Sequence, residues 1–121
     1  MTTVKKAIKV LGYNGDARSW RNKIESEQCY HNALRVADLL DSDGVEYVEG
    51  YVLIDDEWVQ HAWNSYNGEY FDLTYQIHFK RGMQCERKEV VRGTLKQLQT
   101  VGYLLDPVFA TLIEQKEKMG L

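Results

Sequence analysis

Asn67-Gly68 is the feature that most constrains this chain. A two-residue loop closing a β-hairpin places both of its residues at positive φ, and Asn-Gly is the pair that best tolerates this. With the loop fixed, Tyr66 stands opposite Glu69 and the pairing runs outward from there, bringing Trp63 opposite Asp72 and His61 opposite Thr74. Side chains alternate across a strand, so His61 and Asp72 project from one face as diagonal neighbours. Diagonal pairs lie about 7–8 Å apart by backbone, a gap that an imidazole and a carboxylate can close between them. Asn64, three residues from His61, points to the opposite face and is excluded as a partner for the ring.

The rest of the chain is organised around that hairpin. A helix is predicted from about Glu27 to Leu40, with Ser26 as N-cap, Glu27 in the first turn, and Ala33, Leu34, Val36, Ala37 and Leu40 on its apolar face. Asp41-Ser42-Asp43-Gly44 stops it. From Val45 to Leu53 both alternating sets are largely apolar, as in a central strand. Asp55-Asp56 turns this strand into Glu57–Tyr66, and Glu69–Thr74 returns from the hairpin, with Tyr75, Ile77 and Phe79 extending the alternation to Lys80. Residues 83–92 supply a further strand. Thr94 caps a short helix carrying Leu95, Leu98 and Val101, closed by Gly102. Asp106-Pro107 has the form of a second start, leading into a helix with Val108, Phe109, Leu112 and Ile113 on one face. The opening stretch reads either as a helical stripe (Val4, Ala7, Ile8, Leu11) or as a short strand (Ile8, Val10). Helix, antiparallel strands and terminal helices give an α+β class.

Length and composition bound the remaining classes. At 121 residues the chain is one domain, residues 1–121, and its 44% hydrophobic content argues against disorder. No apolar run approaches the roughly 20 residues of a membrane helix, so no membrane partner is expected. The opening Met-Thr-Thr-Val-Lys-Lys leads into no signal-like apolar stretch, which sets the expectation of a cytoplasmic location. In such a compartment Cys29 and Cys85 are expected as free thiols. The net charge of −3 hides an asymmetry: residues 24–72 carry twelve Asp/Glu against Arg35 alone. An acidic middle argues against a nucleic-acid groove there. It is compatible with a basic or amine-bearing partner, and equally with a solvated acidic face.

Cys29 brings nucleophile chemistry to the pair on the hairpin. Near a helix N-terminus, unpaired amide hydrogens and the positive end of the dipole favour the thiolate, the reactive form of cysteine. The bland alternative is a small buried hydrophobe. A thiol, an imidazole and a carboxylate are the parts of a Cys-His-Asp triad. His31, two positions from Cys29 on the same helix, diverges from it and reads as exposed, His78 has no evident partner, and Cys85 reads as a bystander. Cys29, His31, His61, Asp72, His78 and Cys85 are all zinc-ligand types, but they form no C-x-x-C, H-x₃-H or H-E-x-x-H pair. Asp41–Gly44 lacks the later ligands of a calcium loop, and no phosphate-binding glycine motif is present. The reading calls for no cofactor and no metal.

Gln28-Cys29-Tyr30-His31-Asn32-Ala33, then His61-Ala62-Trp63, then Tyr70-Phe71-Asp72-Leu73-Thr74 resembles, in that order, the core of transglutaminase-like and papain-like cysteine enzymes. The layout of NlpC/P60-like peptidases is similar. The resemblance covers residues 28 to about 75. It implies a Cys-bearing helix packed on an antiparallel sheet, with Cys29 as nucleophile, His61 as general base and acid, and Asp72 as the residue that orients the ring. It also implies an upstream side-chain oxyanion donor, for which Trp20, Asn22 and Gln28 are the candidates beside the backbone amide of Cys29. Trp63 is a further candidate for contact with substrate. The activity implied is that of an amide or acyl hydrolase or acyltransferase (protease, amidase or deamidase) acting through an acyl-enzyme on a peptide, protein or other amide-bearing substrate. The alternative is a catalytically inactive binding module of the same fold. Oligomeric state is left open.

Overall fold

The computed structural model describes residues 29–72, 85–106 and 110–120. Helix α1 spans Cys29–Leu39 and buries Asn32, Ala33, Val36 and Ala37. A 3-10 turn over Asp41–Asp43 follows, and Gly44, at φ 77°, ends it in the left-handed region that favours glycine. Strands β1 (Glu46–Ile54), β2 (Glu57–Tyr66), β3 (Glu69–Phe71) and β4 (Arg87–Gly93) come next, then α2 (Leu95–Val101) and α3 (Leu112–Met119). All strand pairings are antiparallel and the order is β3-β2-β1-β4, so the apolar β1 is central as its sequence requires. The class is α+β. No described helix is long and apolar enough to cross a membrane.

Two tight turns set the register. Asp55 and Asp56 (φ 49° and 66°) join β1 to β2, and Asn67 and Gly68 (φ 51° and 78°) join β2 to β3. Asp and Asn are the non-glycine residues that enter this region most readily. The second turn gives the expected pairs Tyr66↔Glu69, Ser65↔Tyr70 and Asn64↔Phe71. The ladder then stops. The described strand ends at Phe71, and Asp72 lies one residue past it instead of pairing with Trp63 in the ladder; Leu73 and Thr74 of the expected strand lie outside the described residues. A carboxylate residue fits a strand poorly, and this one is engaged by side chains described below. Tyr75, Ile77, Phe79 and the extension to Lys80 lie outside the described residues, as do the opening stretch and Ser26.

The two faces of the sheet carry different side chains. On one, Ala33 and Ala37 of α1 pack with Tyr47, Ala62, Val91, Leu98 and Leu112. Asn64 ties α1 to this face, its Nδ2 donating to the carbonyls of Ala33 (2.9 Å) and Glu46 (3.1 Å). On the other, Val48, Val52 and Trp63 form a second buried cluster, against which the free and half-buried Cys85 packs. Strand β4 joins β1 through a bulge: Glu49 pairs with Val91 and Gly50 with Glu89, leaving Val90 as the extra residue. The Val90 carbonyl accepts from Lys116 Nζ at 2.9 Å. Approach at the bulge is so close that a Cβ on Gly50 would lie 2.0 Å from the Lys88 carbonyl oxygen.

The terminal helices partly match their sequence signals. Thr94 caps α2, accepting from the Gln97 amide while the Gln97 side chain accepts from the Thr94 amide, and Gly102 closes the helix. The last helix starts later than Asp106-Pro107 predicts. Thr111 is its N-cap, accepting from the Glu114 amide, and Glu49 Oε1 accepts from the Ile113 amide at 3.0 Å. Two acceptors at Thr111–Ile113 fix the start there; Asp106 itself is not helical, and Pro107, Val108 and Phe109 lie outside the described residues.

Candidate active site

Cys29 is the first described residue of α1 and is half-buried. The next residue, Tyr30, sends its hydroxyl toward Gln60 Oε1 on β2 at 3.4 Å, which lays the start of the helix beside the segment that carries His61. His61 Nε2 meets Asp72 Oδ2 at 2.5 Å. Cys29 lies near enough to the ring to raise the His61 pKa through its side chain and its charge. Cys29, His61 and Asp72, predicted from three separated segments, are therefore brought to one place. Asn64 points the other way, as alternation requires. With Nε2 held by Asp72, Nδ1 is the ring nitrogen left to serve the sulfur.

The site is dry at its inner end. His61 is 5% exposed and Asp72 1%. Burial alone would lower the imidazole pKa, but the hydrogen bond to Asp72, the side chain of Cys29 and the charges of both push it up from 6.5 to about 9. The ring is thus held ready as imidazolium at neutral pH. Trp63 packs alongside it, the rings close to parallel at 20° with centroids 6.1 Å apart. At 1% exposed, Trp63 offers no open surface to a substrate; it is a shelf beneath the histidine, and its expected role in contacting substrate is corrected on that ground.

Arg87 is the residue the sequence reading missed. It sits on β4, at the edge of the sheet, yet its side chain is 3% exposed. Its Nη1 donates to Asp72 Oδ2 at 3.0 Å, the same oxygen that meets His61, and its guanidinium carbon lies 5.0 Å from the centre of the Trp63 ring. A signal was available: a buried carboxylate in a catalytic pair calls for a second charged or hydrogen-bonding partner, and Arg is the cation best suited to burial.

The remaining candidates are dispersed. His31 is exposed on α1, as expected. Trp20, Asn22, Gln28 and His78 lie outside the described residues, so the oxyanion donors expected upstream of Cys29 do too. Among the described residues no group of three or more His, Cys, Asp or Glu side chains is placed to hold a metal ion. Beside the site, Tyr30 is pushed well above its usual pKa by burial first and then by neighbouring acidic groups, Cys29 and Glu49 foremost. No protein-family model, curated protein or solved structure was found to match the chain.

Proposed function

We propose that this protein is a cysteine-dependent amide or acyl hydrolase or acyltransferase with a Cys29-His61-Asp72 triad, of the transglutaminase-like and papain-like type. The observation that carries the reading is the 2.5 Å contact of His61 Nε2 with the buried Asp72 carboxylate, with Cys29 close enough to act on the same ring. The Cys29 thiolate attacks the carbonyl carbon of the substrate, and the charge that develops on the oxygen is met by the backbone amide of Cys29 at the helix start. As the tetrahedral intermediate collapses, the C–N bond breaks and the His61 imidazolium gives its proton to the departing amine. The resulting thioester is resolved by water or by a second amine, with His61 taking the incoming proton. Asp72 holds the ring so that Nδ1 faces the sulfur throughout, and stabilises the imidazolium whenever it forms.

The substrate class is a peptide, protein or other amide-bearing molecule, and the acidic middle of the sequence, with twelve Asp/Glu against Arg35 over residues 24–72, favours a cationic one. Selective alkylation tests the thiol chemistry without knowledge of the substrate. At about pH 6.5, Cys29 is expected to react with iodoacetamide at least about tenfold faster than Cys85, and His61→Ala is expected to remove that advantage. A thiol-directed acyl probe should label the wild type and spare Cys29→Ala. Equal reactivity of the two cysteines, with no labelling, would instead identify a binding module that keeps the arrangement without the chemistry.

A further inference from the structure

We infer that Arg87 is the positioning residue of this site: it fixes the Asp72 carboxylate where the strand has ended and restrains the proton affinity of the Asp72-His61 pair. The catalytic meaning of this role rests on the proposed thiol chemistry; its test does not.

Backbone geometry shows why such a residue is needed. The β2-β3 ladder ends at Asn64↔Phe71, so no ladder pairing holds residue 72 in place. Its carboxylate is located by side chains, and two of them converge on a single oxygen, His61 Nε2 at 2.5 Å and Arg87 Nη1 at 3.0 Å. Arg87 comes from the far side of the sheet. It stands beside Val52 of β1, whereas Asp72 follows β3, so its side chain crosses the face of β1 to reach the other half of the sheet. Three strand spacings are about 14 Å, a gap that an extended arginine and the Asp72 side chain close between them. Gly50, directly opposite His61, presents no side chain on that path. Along the way the guanidinium lies over Trp63, the same indole that packs beside His61, so one aromatic shelf aligns both donors.

The electrostatic consequence follows from distance. Two nitrogens on one oxygen at these lengths are no more than about 5.5 Å apart, well inside the range at which buried charges act on each other. A fixed cation there opposes the imidazolium and offsets part of the Asp72 charge that favours it. Among the described residues, the ionisable and charged groups facing His61 are Cys29 from α1, Asp72 after β3 and Arg87 from β4; Glu89, next on the same face of β4, is engaged by the Tyr70 hydroxyl and by Arg92 at 3.4 Å, and β1 places Gly50 opposite the ring. Without Arg87 the ring would hold its proton more tightly and give it up less readily to a leaving group. With Arg87 it remains a usable acid.

The test is the NMR titration of the His61 ring in the full chain, assigned against His61→Gln, for the wild type, Arg87→Gln and Arg87→Lys. Removing the charge while keeping a hydrogen-bond donor in Arg87→Gln is expected to raise the His61 titration by about one pH unit or more, and Arg87→Lys to return it to within about half a unit of the wild type. The alkaline limit of Cys29 alkylation should move in the same direction. Arg87→Met, also without charge, is carried in parallel so that a folding defect in one variant leaves the other to decide. A His61 titration that stays in place in a folded, charge-free variant overturns the inference even where Cys29 proves reactive. Conversely, a Cys29 no more reactive than Cys85 defeats the thiol chemistry, while a shifted His61 titration still supports the hold of Arg87 on the pair.

Discussion

His61 holds a proton in the folded chain that it releases near neutrality once unfolded, and this difference makes the stability of the fold depend on pH. The ring titrates at about 9 when folded, against 6.5 as its ordinary value. Between those values the native state binds one proton more than the unfolded state, so stability falls as pH rises. The contribution is whole below pH 6.5 and gone above about 9. At about 1.4 kcal/mol per pH unit, the interval amounts to about 3 kcal/mol, a large share of the stability of a domain this size. No discount for solvent screening applies, because the ring is 5% exposed and its carboxylate 1%. Urea unfolding of the wild type and His61→Gln at steps from about pH 6 to 10 measures it, since the other groups that titrate there are common to both proteins. The stability difference between them is expected to shrink by about 3 kcal/mol across the range, most steeply between 7 and 9, and Asp72→Asn is expected to flatten the wild-type curve toward that of His61→Gln. If the two proteins lose stability in parallel, the imidazolium is not held by Asp72 and Cys29, and the electrostatic account of the site is wrong.

Two further outcomes probe what holds the site in place. Gly50→Ala puts a methyl group 2.0 Å from the Lys88 carbonyl oxygen, so β4 must give way at the bulge; thermal unfolding should show a loss of about 1–3 kcal/mol or more, and the His61 titration should move up as Arg87 is displaced. Glu49→Gln replaces a buried carboxylate that accepts from the Tyr47 hydroxyl at 2.5 Å and the Ile113 amide at 3.0 Å; denaturation at neutral pH should show a loss of about 1–2 kcal/mol, accompanied by faster amide exchange at the start of α3.

The parts of this molecule that sequence revealed are those fixed by neighbours in sequence. Asn67-Gly68 dictates a turn because few residue pairs accept positive φ twice in succession, and from that turn the register of β2 against β3 follows by counting. The same counting placed Asp72 on the face of His61 and turned Asn64 away from it. Thr94 with Gln97 and Gly102 defines α2 entirely from within. What escaped depends on contacts between distant segments. The start of α3 was misplaced because Asp106-Pro107 is a good local start, whereas Glu49, 64 residues before Ile113, supplies an acceptor further on. Arg87 escaped for a related reason: a charged residue in an edge strand is ordinarily solvated, and its burial is stabilised by a carboxylate and an indole that lie 15 and 24 residues earlier in the chain.

Alternation along β1 and β2 separates the group that packs against the helices from the group that carries the proposed chemistry. Tyr47, Glu49, Ala62 and Asn64 share the face that receives α1 and α3, and their polar atoms are spent on Ala33, Glu46, Leu112 and Ile113. Val48, Gly50, His61 and Trp63 take the opposite face, where Asp72 and Arg87 meet the ring. Each strand thus sends successive residues to opposite faces: Glu49 beside Gly50, Ala62 between His61 and Trp63. A slip of one residue between these strands would exchange the two sets, burying Asn64 against the indole cluster and turning His61 toward the helix. The Asp55-Asp56 and Asn67-Gly68 turns, each held at positive φ in both positions, are what forbid that slip. Register is therefore a requirement of the proposed chemistry as much as of the packing.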